Sequence, residues 1–364
     1  MSRNLLMDED IRDLVTSVRA MVSTRVPLGQ VRRIAESSSG TDPELWRCWA
    51  REIGVQGLLI DERHGGSGAD LRAASAVATE LGAGLVPGPL VPTVLAGLAV
   101  RLAGGAGTAK ESSGIADGTL AAALVLPDLH SVVVVPDTQD PESGRAGGVV
   151  PLVQDGASLD LLVLVVDVGA HPHLAVVPRG PHWVASDRGS LDVIHRFAHI
   201  EVSEAPVRLL PLDDDRVTRL EAAAAILATS AQFGLMRRSL DETIAYCADR
   251  HAFGRAVGSF QAVKHQLAEL ACAVAQADAL LSDAVAAATE EPADALLAAE
   301  AAWCFTAPMG TRVVSECLRL HGGIGYTWEH DSHLYFRRAR SQEHALGPTT
   351  EHRRRLAGLL GLSA

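Results

Sequence analysis

The chain is poor in aromatic residues: Phe, Tyr and Trp together make up 4% of it. Ala, Leu and Val dominate instead, a mixture that suits closely packed helices with small residues at their contacts. Positive charge is also scarce. Thirty-two Lys and Arg face 44 Asp and Glu, for a formal net charge of −12. Binding a nucleic acid backbone needs clustered cations, so nucleic acid is not an expected partner, although a local basic pocket for a phosphate remains open. The five cysteines, Cys48, Cys247, Cys272, Cys304 and Cys317, form no C-x-x-C pair. No zinc site or redox motif follows from them, and an odd, scattered set fits a reducing compartment. The start, MSRNLLMDEDIRDLV, carries acids and no apolar signal core. The apolar stretches are broken by charge or Gly before they reach membrane-spanning length. The expectation is a cytoplasmic protein without a membrane segment. With 364 residues, two or three domains are expected.

Three zones follow one another. In residues 1–112, Ile11, Leu14, Val15, Val18 and Met21 repeat at helical spacing, which predicts a helix over Asp8 to Val22. Pro43-Glu44 opens another through Trp46, Trp49 and Ile53. Gly65-Gly66-Ser67-Gly68 makes a turn before a long Ala-rich helix ending near Gly82. The next stretch, GLVPGPLVPTVLAG, holds three prolines and is read as a helix break. Residues 113–212 change character. Short Val/Leu runs at Leu120–Leu126, Ser131–Val135, Leu159–Val166 and Leu174–Val177 alternate with Pro, Gly and Asp turns. FAHIEVSEAP then reads as a last strand, completing a small antiparallel β domain. Residues 213–364 return to helical periodicity over Leu220–Ala248, Phe260–Ala287, Ala293–Leu320 and Glu329 to about Leu362. Four long helices predict a bundle.

Two segments carry most of the chemistry. ADRHAFGRAVGSFQAVKHQLAEL places Arg250 at the end of a helix, just before Phe253-Gly254, with Phe260, Gln261 and His265 beyond. A guanidinium there can reach outward and matches a phosphate in charge and geometry, or serves as a helix C-terminal cation. LHGGIGYTWEH has Gly322-Gly323, where backbone can approach a ligand with no Cβ in the way, or where a helix simply stops. His265 reads as a packed helical histidine. His321, His330 and His344 lack metal-ligand spacing, so no metal is expected.

Together these segments resemble the acyl-CoA dehydrogenase family. Arg250, Phe253, Gly254, Phe260, Gln261, His265 and Leu267-Ala268 match R-x-x-FG-x5-FQ-x3-H-x-LA. Gly322, Gly323, Gly325 and Tyr326 match GG-x-G-[FY], and Gly57–Ala69 resembles a G-L-x-x-P-E-x-x-GG-x-G turn. The resemblance implies an α+β fold: an N-terminal helical domain, a middle β-barrel or sandwich, and a C-terminal four-helix bundle. It implies FAD, held at its adenosine and pyrophosphate half by Arg250, Phe253, Gln261, Arg319, Gly322, Gly323 and Gly347 across a subunit interface. It implies an acyl-CoA substrate and an electron-transfer flavoprotein as acceptor.

The family's chemistry needs a carboxylate to remove the α-proton of the thioester. Its two positions correspond here to Ala224 and Leu346, neither of which can accept a proton. The nearest acid, Glu221, lies less than a helical turn from Ala224, roughly 4.5 Å along the axis. It reads either as a displaced base or as a first-turn acid favoured by the helix dipole. The family's V-T-E-P-like strand becomes Leu124-Val125-Leu126-Pro127. Its W-[IV]-[TS] strand becomes Val149–Val153, with no Trp, Ser or Thr. Arg319 replaces a Gln. With the adenosine half kept and the ring side lost, the pattern resembles a subunit of the bacterial α2β2 members, paired with a homologous catalytic chain in a heterotetramer. A self-sufficient enzyme using Glu221, a non-catalytic structural subunit and a monooxygenase of the same fold are the alternatives.

Overall fold

The computed structural model describes residues 9–290 and 293–362. Helix α1 (Glu9–Arg25) buries Ile11, Val15, Val18 and Met21, the stripe expected from the spacing. Its expected first residue, Asp8, lies outside the described residues. α2 (Leu28–Glu36) follows, then α3 (Pro43–Cys48). The Asp42 side chain caps α3 by accepting from the Glu44 and Leu45 amides, and α3 runs on into a single π-helical turn, Trp49–Ile53. α4 (Leu71–Ala83) is capped in the same way by Asp70.

The proline-rich stretch that follows is not all break. α5 (Leu90–Ala103) begins inside it, with Pro92 in the first turn. The first-turn amides have no intrahelical acceptor, so a residue without an N–H costs nothing there. α6 (Ala109–Ala116) closes the first helical group.

The middle of the chain forms one sheet. Its strands are β1 (Ala122–Val125), β2 (Val133–Pro136), β3 (Ser143–Gln154), β4 (Leu161–Val168), β5 (His171–Pro178), β6 (Trp183–Arg188) and β7 (Phe197–Pro211). The order is β1-β4-β5-β7-β3-β2, with β6 also on β7. All pairs are antiparallel except β1 with β4, a departure from the expected all-antiparallel domain. β6 was not expected: WVASDR is too polar to announce a strand. β4 reads LLVLVV because both its faces are covered. Leu162, Leu164 and Val166 enter the sheet's own core, while Leu161, Val163 and Val165 pack into the main helical core with α5.

The C-terminal helices are α7 (Asp214–Asp249), α8 (Gln261–Glu290), α9 (Ala295–Leu320), α10 (Ser332–Gln342) and α11 (Thr349–Leu359). α7 crosses α4 with backbones nearly touching. A Cβ on Gly234 would lie 2.0 Å from the Thr79 carbonyl oxygen, and one on Gly82 would lie 2.1 Å from that of Ala231. This crossing sets α7 as the central post against which the sheet and the last helices stand. Among the described residues, α8 is long and apolar enough by composition to cross a membrane, contrary to the sequence reading. Its Leu270, Ala273, Ala277, Leu281 and Ala284 are nevertheless buried in the bundle.

Candidate active-site cleft and dinucleotide corner

One face of α7 presents Ala224, Ala228, Ala231 and Leu235, spaced as successive turns of a helix, to a cavity beside the sheet. Opposite stand Leu124 and Val125 of β1 with Leu126 just after it, Leu152–Gln154 of β3, and Arg338, Gln342, Ala345 and Leu346 from α10 and the loop after it. Both positions at which the family places its carboxylate, Ala224 and Leu346, therefore meet in one cavity, and both are hydrocarbon. The two altered strand motifs meet there as well. On β3 the wall is Leu152, Val153 and Gln154, one residue beyond the stretch expected from the sequence, so the amide of Gln154 joins it. The cavity measures about 130 Å³, below the roughly 300–1,000 Å³ usual for small-molecule sites.

Glu221 does not line this cavity. Its carboxylate faces Arg355 at 3.5 Å. Arg355 in turn holds Glu300 at 3.1 Å and Asp128 at 2.9 Å. Burial pushes the Glu221 carboxyl above its ordinary range, and the Arg355 charge only partly offsets that. Next to it, His352 joins Glu300 at 2.8 Å through Nδ1 and the Leu346 carbonyl at 2.9 Å through Nε2. Burial opposes a charged imidazole here. The hydrogen bond and charge of Glu300 outweigh it, and the His352 pKa is raised. The loop carrying Leu346 is thus tied down from beneath by an ion-paired cluster.

Two further side-chain pairs close the polar end of the cavity. His195 Nδ1 meets Asp155 Oδ2 at 2.9 Å, and Asp155 Oδ1 accepts the Arg196 amide at 3.1 Å. Arg338 donates through Nε to Asp192, both being buried. Sequence reasoning missed His195, Arg338, Gln154 and Gln342. No local motif marks them.

Roughly 20 Å further along α7, the chain builds a different kind of surface. After Arg250, two short strands, β8 (His251–Ala252) and β9 (Arg255–Ala256), form a hairpin. Its two turn residues, Phe253 and Gly254, have φ of 54° and 78°. Both are left-handed, as a type I′ turn requires. Phe253 is 96% exposed. Arg255 lies over the Phe260 ring, 3.8 Å from its centroid, and steadies the hairpin. Tyr246, one turn before Arg250, stacks on His321 with ring centroids 4.6 Å apart and donates to the His321 carbonyl at 3.3 Å. This contact brings the Arg250 hairpin and the Gly322-Gly323 turn to one corner of the bundle. Arg250 and Gln261 are exposed there. Gly322 has φ 66°, and a Cβ on Gly322 or Gly323 would meet nothing within 4 Å. Arg319 is engaged by Glu316 at 2.8 Å. Gly347 stands apart from this corner: it adjoins the cleft, where a Cβ would lie 3.4 Å from Leu129.

A helical–β–helical chain with a cleft between its sheet and central helix is the architecture of a flavin-linked dehydrogenase fold, and comparison with known proteins makes the class specific. Residues 8–122 match the acyl-CoA dehydrogenase N-terminal domain, and residues 218–360 match the acyl-CoA dehydrogenase C-terminal domain. Acyl-CoA dehydrogenase IpdE2 of Mycolicibacterium smegmatis is 34% identical over 96% of this chain and 98% of its own length. Acyl-CoA dehydrogenase FadE34 of Mycobacterium tuberculosis is 33% identical over 96% of this chain, which spans 47% of FadE34. Among solved structures, the ChsE4-ChsE5 complex from M. tuberculosis matches with TM-score 0.90 and 25% identity, over 99% of this chain and 100% of that one. A variant of the Tcur3481-Tcur3483 steroid ACAD matches with TM-score 0.89 and 26% identity, over 97% and 98%. The chain belongs to the acyl-CoA dehydrogenase family, whose members are oxidoreductases acting on acyl-CoA thioesters.

Proposed function

We propose that this chain is the non-basic partner in a heteromeric, FAD-dependent acyl-CoA dehydrogenase, supplying the adenosine and pyrophosphate half of the dinucleotide site to a homologous catalytic chain. The observation that carries this reading is the convergence of Ala224 and Leu346 on one small apolar cavity. A proton acceptor must stand within hydrogen-bond reach of the α-proton, and neither residue can play that part. The opposite corner supports the other half of the reading. Arg250 is an exposed guanidinium suited to a phosphate, and Gln261 adds an exposed amide. Gly322 and Gly323 leave space that, among the described residues, nothing within 4 Å of an added Cβ fills. FAD is the cofactor, and when bound it supplies the hydride acceptor. This chain's residues would hold its charged end and leave the reactive ring to the partner. Phe253 would project into the partner's surface.

The relatives agree in kind. ChsE4-ChsE5 and Tcur3481-Tcur3483 are assemblies of two different chains. FadE34 is about twice as long as the segment this chain matches, as expected if two such units were joined. By the same analogy, the substrate is a bulky acyl-CoA, steroid-derived thioesters included, and the acceptor is an electron-transfer flavoprotein.

Co-expression with the partner chain tests the reading. The complex is expected to hold FAD and oxidise acyl-CoA, and the isolated chain to do neither. Stoichiometric FAD and turnover in the isolated chain would overturn it. A second reading, a self-sufficient enzyme using Glu221, draws on that carboxyl's raised pKa. Under it, Glu221→Gln abolishes turnover while FAD stays bound. Under ours, the variant keeps the activity of the complex.

A further inference from the structure

Arg338 is a buried cation with donors to spare. It is 4% exposed and lines the cavity, its Nε is committed to Asp192, and its Nη2 has no hydrogen-bond partner among the described residues. Buried polar nitrogens are nearly always paired, because an unmade bond leaves the full cost of removing the group from water. Asp192 is already served by the Ile194 amide at 2.9 Å as well as by Arg338, so the unmet capacity is on the arginine alone. Beside it stands His195, whose Nδ1 faces Asp155. That carboxylate fixes the ring at the cavity's polar end.

We propose that this cavity is a binding site for a neutral carbonyl oxygen borne on a single apolar ring, with Arg338 as the hydrogen-bond donor. Charge selects the ligand class. Arg338 and Asp192 balance each other, so the pair offers an anion no net positive charge. A carboxylate would add an unbalanced buried negative charge, whereas a ketone or amide oxygen adds none. Size selects the body. The volume of about 130 Å³ resembles the ~150 Å³ engineered cavity that takes benzene, so one ring fits. Leu81, Leu90, Val91 and Leu124 supply the hydrocarbon walls. The site stands whether or not a partner chain completes the flavin site.

Binding of three probes to the full-length chain tests this, followed by thermal shift and by the arginine side-chain NMR signals. The probes are cyclohexanone, methylenecyclohexane (the same ring with CH2 in place of oxygen) and cyclohexanecarboxylate. Cyclohexanone is expected to saturate, to shift the Arg338 signals, and to bind about ten-fold tighter than methylenecyclohexane, with the carboxylate weaker than the ketone. In the double variant Arg338→Met, Asp192→Asn, which removes donor and counter-charge together, the preference for the ketone should vanish. Equal or tighter binding of methylenecyclohexane, tighter binding of the carboxylate, or no saturation by the ketone would each overturn the proposal. The probe comparison uses the unaltered protein, so it stands even if the double variant fails to fold.

Discussion

At the scale of single residues, the proposed function puts two jobs along one helix. Arg250 at the end of α7 offers an exposed positive charge, and its replacement by Ala should strip flavin from the assembled complex while leaving the fold intact. Absorbance of the purified complex near the flavin bands reads this directly, and unchanged flavin content would favour a purely structural subunit. His352 makes a pH prediction. Its pKa is raised by Glu300 despite burial. The stabilisation is therefore full below the ordinary histidine pKa of about 6.5 and fades as pH rises through the higher folded value. The Glu221 carboxyl, raised by burial, acts in the same direction, since ionising it on the alkaline side is penalised in the fold. Protection factors in α11, corrected for the intrinsic base-catalysed exchange rate, should accordingly fall from mildly acid to mildly alkaline pH, and unchanged protection would contradict the assignment. The placing of Arg250 at a helix end, of Gly322 in a turn, and of hydrocarbon at Ala224 and Leu346 was legible in the sequence because each sits at a fixed offset inside a short motif. His195 and Arg338 were not. Their partners lie 40 and 146 positions away, and no local periodicity records a pairing made only by the tertiary fold.

At the scale of elements, helical period revealed most of the helices, and alternation with turn residues revealed most strands. The misses have physical causes. α5 was hidden by Pro92, which stops a helix in its interior but is harmless in the first turn. β6 was hidden because most of its side chains face outward, leaving Trp183 as its buried anchor. The parallel pairing of β1 with β4 could not be read from either strand alone. The α4–α7 crossing was likewise invisible, since glycines inside an Ala-rich helix look like mere interruptions. Gly234→Ala would push a methyl group to 2.0 Å from a backbone oxygen, so the helices must part. A loss of about 1–3 kcal/mol is expected, measurable by urea unfolding. Gly82→Ala should cost a similar amount at the same crossing. An unchanged midpoint for either variant would mean that the helices do not approach this closely in solution.

For the whole molecule, the prediction concerns what the chain lacks by itself. Purified alone, it should carry well under one flavin per chain. Co-purified with its homologous partner, the flavin-to-chain ratio should rise to a fixed value set by the assembly, and mass measurement should find both chains. α8 fits that picture: its outward face runs through Ala268, Ala271, Ala275 and Ala279, all exposed, small enough for another helix to lie close. The domain order was readable from composition because helical and strand-rich zones follow one another without interleaving. The absence of a carboxylate at Ala224 and Leu346 was readable because missing chemistry leaves a mark in the letters themselves. The hairpin tip adds one more consequence. Phe253 is held in a left-handed conformation that side chains adopt at a cost, and its ring stands in water before any partner arrives. Both expenses are met while the chain is still single. Under the proposed function, docking would begin from a hairpin tip already in its final shape, and recognition should proceed as lock and key, without a segment that must first order itself.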